Sequence, residues 1–206
     1  PDALPTWPLL VIAGAGSGKT RAIEYRVAHL VQSGIDPASI LLLTFTRKAA
    51  HEMLARAVRH DERCRLVEGG TFHSFAFKLL KKYAAAIGLS NAFTILDEGD
   101  AAEAVGKCAA KLDFFEPDRK VPRKETLRTI LSMAVNKTAP VARIIEHEYP
   151  HFLELAGEIE KIRKAYAAYK IGKNYVDYDD LLVYLKLLLD IPDIRDRLAH
   201  RYRFIM

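Results

Sequence analysis

The residues best equipped for chemistry lie near the start of the chain. There Ala13-Gly14-Ala15-Gly16-Ser17-Gly18-Lys19-Thr20 combines three glycines with a lysine and a threonine. The spacing fits the phosphate-loop pattern, with Ala13 at a position usually held by glycine. Glycine adopts positive φ at no steric cost, so successive backbone N–H groups can converge on phosphate oxygens. A helix beginning at Lys19 would direct its positive dipole end to the same place. The Lys19 ammonium can reach β- and γ-phosphates as a point charge, and the Thr20 hydroxyl is a suitable Mg²⁺ ligand. The bland alternative is a glycine-rich turn that binds nothing. The spacing does not fit a dinucleotide fingerprint followed by an acidic residue at a second strand end, which argues against NAD.

Two later segments carry short polar residues at what read as helix starts. The first is Thr44-Phe45-Thr46-Arg47-Lys48-Ala49-Ala50-His51-Glu52-Met53 and the second is Gly70-Thr71-Phe72-His73-Ser74-Phe75. Hydroxyls and helix-start N–H groups suit backbone phosphates, and an aromatic ring suits a nucleobase. Phe45 is therefore either a stacking ring or a core residue. Thr46 is either a phosphate ligand or an N-cap. Thr71, His73 and Ser74 are either phosphate donors or the caps of a helix that buries Phe72 and Phe75.

Other constellations point elsewhere and are weaker. His147-Glu148-Tyr149-Pro150-His151 matches the H-E-x-x-H zinc pattern, which needs both histidines on one face of an unbroken helix. Pro150 lacks an N–H and clashes with the carbonyl of Glu146, so the spacing predicts a broken helix there. Asp177, Asp179 and Asp180 resemble a metal cluster, but carboxylates are favoured at a helix N-terminus in any case, so capping is the expected role.

The elements that would position these groups follow from periodicity. Residues 9–13 form a short apolar run ending at glycine and read as a buried strand. From Lys19 a helix follows with Ile23, Val27, Leu30 and Val31 on one face, closed by Gly34. Residues 40–44 read as a second buried strand, 48–60 as a second helix and 66–71 as a third strand. The next helix carries Ala76, Leu79, Leu80 and Tyr83 on one side and stops at Gly88. Strand–helix alternation of this kind predicts a parallel sheet with covering helices. Three strands thus end in phosphate-friendly helix starts, and in open α/β sheets ligands bind at the carboxyl ends of the strands.

Beyond Gly88 the pattern is helical, apart from a short run at 93–96, with Pro117, Pro122, Pro140 and Pro150 dividing it. Phe152, Leu155, Ile159, Ile162, Tyr166 and Tyr169 recur at helical spacing. Residues 179–189 read as a further helix and 202–206 as a strand. The expected organisation is an α/β part over residues 1–88, a helical insertion over 89–174 and a return to the first part over 175–206. The net charge is +5, and residues 117–174 hold 12 Lys/Arg against 7 Asp/Glu. That middle excess fits either a polyanionic partner or a solvated helical face. No apolar run approaches the ~20 residues that span a bilayer. The first seven residues do not read as a signal peptide. Cys64 and Cys108 form no metal or redox pair, so a reduced, intracellular chain is expected.

Taken in order and spacing, Gly14–Thr20 with Arg21, then 44–53, then 70–75 resemble motifs I, Ia and Ib of the UvrD/Rep-like superfamily 1A DNA helicases. Val176-Asp177-Tyr178-Asp179-Asp180-Leu181-Leu182 is similar to the aspartate-rich helix start that precedes motif II in that family. The resemblance runs the length of the chain. It implies a RecA-like phosphate-loop NTPase domain with an inserted all-helical 1B subdomain. It implies that ATP and Mg²⁺ are held by Lys19 and Thr20 within Ala13–Thr20, with Arg21 stacked on adenine. It implies that Phe45, Thr46, Arg47, Thr71, His73 and Ser74 line a track for single-stranded DNA. The implied activity is 3′–5′ translocation and unwinding at single/double-strand junctions, in a bacterial cytoplasmic, nucleoid-associated protein with no membrane partner.

The chain departs from the family in places. Residues 1–8 contain no glutamine where an adenine-reading one is usual, and Arg47 stands where asparagine is common. Arg203-Phe204-Ile205-Met206 resembles the strand that leads into the acidic pair of motif II. Neither that pair nor a second RecA-like domain falls within the 206 residues, so the expectation is that these residues alone hydrolyse ATP negligibly. Competing readings are a helicase subunit of a helicase–nuclease recombination complex, another phosphate-loop enzyme such as a small-molecule kinase, and a non-catalytic nucleic-acid-binding module.

Overall fold

The computed structural model describes residues 10–12, 14, 16–116 and 120–206. In chain order the elements are α1 (Lys19–Gln32), β1 (Ile40–Thr44), α2 (Arg47–His60), β2 (Glu68–Thr71), α3 (Phe72–Tyr83), β3 (Thr94–Ile95), α4 (Glu98–Ala110), α5 (Lys124–Asn136), α6 (Val141–Glu148), α7 (Ala156–Lys173), β4 (Tyr175–Val176), α8 (Tyr178–Asp190), α9 (Pro192–Arg201) and β5 (Phe204–Ile205). Contacts divide the chain into two units, residues 1–72 with 196–206 and residues 73–195. These boundaries fall earlier than 88 and later than 174, where the sequence changes character.

In the first unit a continuous apolar run makes β1 the middle strand of a parallel sheet ordered β2-β1-β5. Its register pairs Leu41 with Glu68 through to Thr44 with Thr71, and Ile40 with Phe204 on the other side. Val27, Leu30 and Val31 of α1 and Met53 and Ala57 of α2 close over Ile40, Leu42, Cys64 and Val67. Leu41, on the opposite pleat, is also buried, so both faces of β1 are covered. The β2 strand, Glu-Gly-Gly-Thr, has no large apolar side chain. It is held instead by close approach: a Cβ on Gly69 would lie 2.5 Å from Leu54 Cδ1 of α2. Glu68 also ties it to the chain near β5, accepting hydrogen bonds from Tyr202 Oη and, at 3.1 Å, from Arg201. Burial and the Glu68 bond push the Tyr202 phenol up to about 12.

The expected strand over residues 9–13 is not found where it can be followed. Leu10, Val11 and Ile12 are exposed and unpaired in any ladder, while Leu9 and Ala13 lie outside the described residues. Both edges of β1 are taken by β2 and β5.

The second unit is helical around a larger core. Val105 and Phe114 pack with Leu127, Ile130 and Leu131 of α5, Ile144 and Ile145 of α6, and Ile159, Ile162 and Tyr166 of α7. It is not all-helical: β3 and β4 form a short parallel ladder pairing Thr94 with Tyr175 and Ile95 with Val176. The ladder joins the segment before α4 to the segment after α7, and α7 runs 18 residues without a break. Gly88, at φ 74°, ends the turn after α3 as its spacing predicts. No helix among the described residues is long and apolar enough to cross a membrane.

Candidate functional site

The glycine loop leads into α1. Gly16 and Gly18 take φ of 74° and 83°, the left-handed region that other residues adopt reluctantly. Among the described residues, a Cβ added at Gly14, Gly16 or Gly18 would meet nothing within 4 Å. The helix starts at Lys19 with no capping side chain and no acidic residue in its first turn, which leaves its dipole open to an anion. Gly14 O accepts from Ser17 Oγ at 2.7 Å and from Lys19 Nζ at 2.5 Å, so the lysine arches back over the loop. Thr20 and Arg21 are exposed beside it. Ala13 and Ala15 lie outside the described residues. Positive-φ glycines, open space over them and an undischarged helix start together make a geometry suited to an anion such as a phosphate group.

Arg21 has a neighbour that sequence reasoning did not assign. Its guanidinium sits 5.5 Å from the centre of the Tyr25 ring and donates to Tyr25 Oη at 3.3 Å. The Tyr25 ring also meets that of His60, with ring centres 4.5 Å apart. The signal was the i, i+4 spacing of Arg21 and Tyr25 on one helix.

At the strand tips, the register that pairs Thr44 with Thr71 brings Phe45 beside Phe72. Phe45 is 89% exposed, so it is not a core residue. Phe72 is 39% exposed, and its ring lies 5.8 Å from that of Phe45 at 48°. Of the two phenylalanines weighed as core in that segment, only Phe75 is buried. Thr46 is the N-cap of α2, its Oγ1 accepting from Ala49 N at 3.1 Å. Arg47 is exposed at the first position of that helix, and Thr71 is 8% exposed within the strand tip. In the second unit His73 meets the edge of the Tyr178 ring at 6.1 Å, and Ser74 is half-buried.

Of the three aspartates after β4, Asp177 and Asp180 cap α8, while Asp179 pairs with Arg128 and Asn136. Asp177 Oδ1 accepts from Asp180 N at 2.9 Å and Asp180 Oδ2 accepts from Asp177 N at 3.1 Å, a reciprocal capping box. Lys170 Nζ bridges Asp177 at 2.7 Å and Asp180 at 2.6 Å, Tyr166 Oη donates to Asp177, and Arg128 pairs with Asp179 at 2.8 Å. Burial works against the charged form of Asp177, but Lys170 and the Asp180 N–H outweigh it and hold that carboxyl below its usual range. Burial and the adjacent Asp177 charge push Asp180 up. At the H-E-x-x-H stretch α6 ends at Glu148 and Tyr149 leaves helical geometry (φ −140°, ψ 51°), so His147 and His151 do not share one helix.

A parallel sheet whose strands run into helices, joined to a glycine loop that opens a helix at a Gly-Lys-Thr step, defines the phosphate-loop class. Residues 2–206 match the UvrD/REP helicase N-terminal domain, and the chain belongs to that family, whose first domain is RecA-like. It is 33% identical over 205 residues to ATP-dependent DNA helicase PcrA of Leuconostoc citreum, covering 96% of this chain and 26% of that one. It is 32% identical over 203 residues to DNA helicase II of Rickettsia typhi, covering 97% and 30%. It is 30% identical over 216 residues to ATP-dependent DNA helicase Rep of Salmonella typhimurium, covering 98% and 29%. The chain thus spans under a third of the length of these relatives.

Proposed function

We propose that the chain is the nucleotide- and single-strand-binding part of an ATP-dependent 3′–5′ DNA helicase. The observation that carries this reading is the loop at α1: left-handed glycines, open space above them, an uncapped helix start and a lysine folded over the rim. Lys19 and the loop N–H groups hold the triphosphate, Thr20 holds Mg²⁺, and Arg21, braced by Tyr25, faces the adenine. The metal ion would supply neutralisation of phosphate charge; the chain itself binds and orients. Phe45, Thr46, Arg47 and Thr71 lie at adjacent strand tips, and His73 and Ser74 continue the same segment, so this edge is read as the single-strand track.

In this reading residues 1–88 and 175–206 belong to the RecA-like domain and 89–174 to the 1B insertion, whose basic excess suits DNA near a single/double-strand junction. A second RecA-like domain of the same polypeptide completes the nucleotide site, so the 206 residues alone turn over negligible ATP. The setting is the bacterial cytoplasm, at the nucleoid. The test is DNA-stimulated ATP hydrolysis by the full-length protein. Lys19→Ala is expected to abolish turnover while leaving the thermal transition in place; undiminished hydrolysis removes the loop from the mechanism.

A further inference from the structure

Phe45 and Phe72 each follow the last residue of adjacent parallel strands, directly after the Thr44–Thr71 pair. Both rings reach solvent, at 89% and 39% exposure, yet they touch each other at 5.8 Å between centres with planes 48° apart. An exposed phenylalanine has two soft torsions and ordinarily samples several rotamers. A second ring against one flank removes part of that freedom and leaves the other flank open. The tilt rules out both rings stacking flat on the same base, since parallel contact with one leaves the other at 48°. The neighbouring Thr46 hydroxyl already caps α2, so it does not restrain Phe45.

We propose that Phe72 is a positioning residue for the single-strand contact: its ring braces Phe45 so that the open face of Phe45 is presented to a nucleobase. This rests on the nucleic-acid reading of the strand tips given above. The brace lowers the ordering cost of binding, because the stacking ring is already held when the base arrives. Arg47, two residues after Phe45 in the chain, is exposed and supplies charge for the adjoining phosphate.

The test uses the full-length protein without nucleotide and a fluorescein-labelled oligothymidylate, read by anisotropy. Phe45→Ala is expected to weaken binding by roughly 5- to 160-fold. Phe72→Leu is expected to weaken it by about 2- to 12-fold, the worth of one aromatic pair. Phe72→Tyr keeps the ring and should restore wild-type affinity, and Phe45→Ala with Phe72→Leu should bind no more weakly than Phe45→Ala alone. Urea unfolding accompanies each variant, and Phe72→Met replaces Phe72→Leu if the latter does not fold. If Phe45→Ala weakens binding while Phe72→Leu and Phe72→Met leave affinity unchanged, or add independently to Phe45→Ala, the bracing role is overturned and the single-strand reading stands. If Phe45→Ala itself leaves affinity unchanged, both are overturned.

Discussion

Replacing Lys170 with methionine removes the ammonium that bridges the buried Asp177 carboxylate and the partly buried Asp180 carboxylate. The Lys170 side chain is 8% exposed and that of Asp177 3%, with Nζ 2.7 Å from Asp177 and 2.6 Å from Asp180. At an effective dielectric of about 20, each contact is worth about 6 kcal/mol of attraction before desolvation is counted. Methionine fills most of the volume, so the loss is electrostatic, and breaking a buried pair from one side costs about 3–5 kcal/mol. Asp177 has an escape by taking a proton, which at pH 7 costs about 1.4 kcal/mol for each pH unit above its unfolded value near 3.9, or about 4 kcal/mol. The expected destabilisation at pH 7 is therefore about 3–4 kcal/mol. The pH dependence has a definite sign. In the wild type the depressed Asp177 carboxyl contributes stability above its unfolded value, which is lost as pH falls through its folded one. In the variant its folded value is raised, so its contribution is intact at low pH and lost as pH rises. The stability gap between the two proteins should narrow from pH 7 to pH 5. Urea unfolding at both pH values measures it, and Lys170→Met with Asp177→Asn should recover part of the loss. A loss under about 1 kcal/mol at pH 7, or a gap that does not narrow, refutes the reasoning.

Gly69→Ala places a Cβ 2.5 Å from Leu54 Cδ1 and is expected to cost about 1–3 kcal/mol, with Leu54→Ala in the same chain relieving part of it; urea midpoints decide. Phe45→Ala should leave the thermal midpoint unchanged, because a side chain 89% exposed contributes little burial, while single-strand affinity falls by about 1–3 kcal/mol. A fall in the midpoint with DNA affinity intact would assign the ring to the fold.

Much of the frame was legible because it rests on local pattern. The Ile40–Thr44 strand declares itself by an unbroken apolar run, and Gly34 and Gly88 mark helix ends that need positive φ. Helix α6 stops where Pro150 forces it to. What pattern did not convey was tertiary. Glu68–Thr71 carries no apolar side chain, so its placement depends on Leu54 seating against Gly69, a contact 15 residues away in sequence. Helix α9 was unread, since only Ile194 of its ten residues is buried. Phe45 looks the same in sequence whether buried or exposed, and its exposure and the ring beside it emerge only from the β1–β2 register. Lys170 was readable in retrospect, standing four residues after Tyr166 on the buried face of α7, where an unpaired cation is costly. The unit boundaries at 72 and 195 reflect packing of α3 and α8 with the helical unit, which a change of composition at Gly88 does not report.

The proposed grip of the glycine loop on a triphosphate is tested most directly by amide hydrogen exchange of the full-length protein with and without saturating non-hydrolysable ATP and Mg²⁺. Peptides covering residues 14–22 are expected to gain the largest protection on nucleotide addition. Nucleotide binding with unchanged exchange in those peptides, and protection elsewhere, would contradict the account.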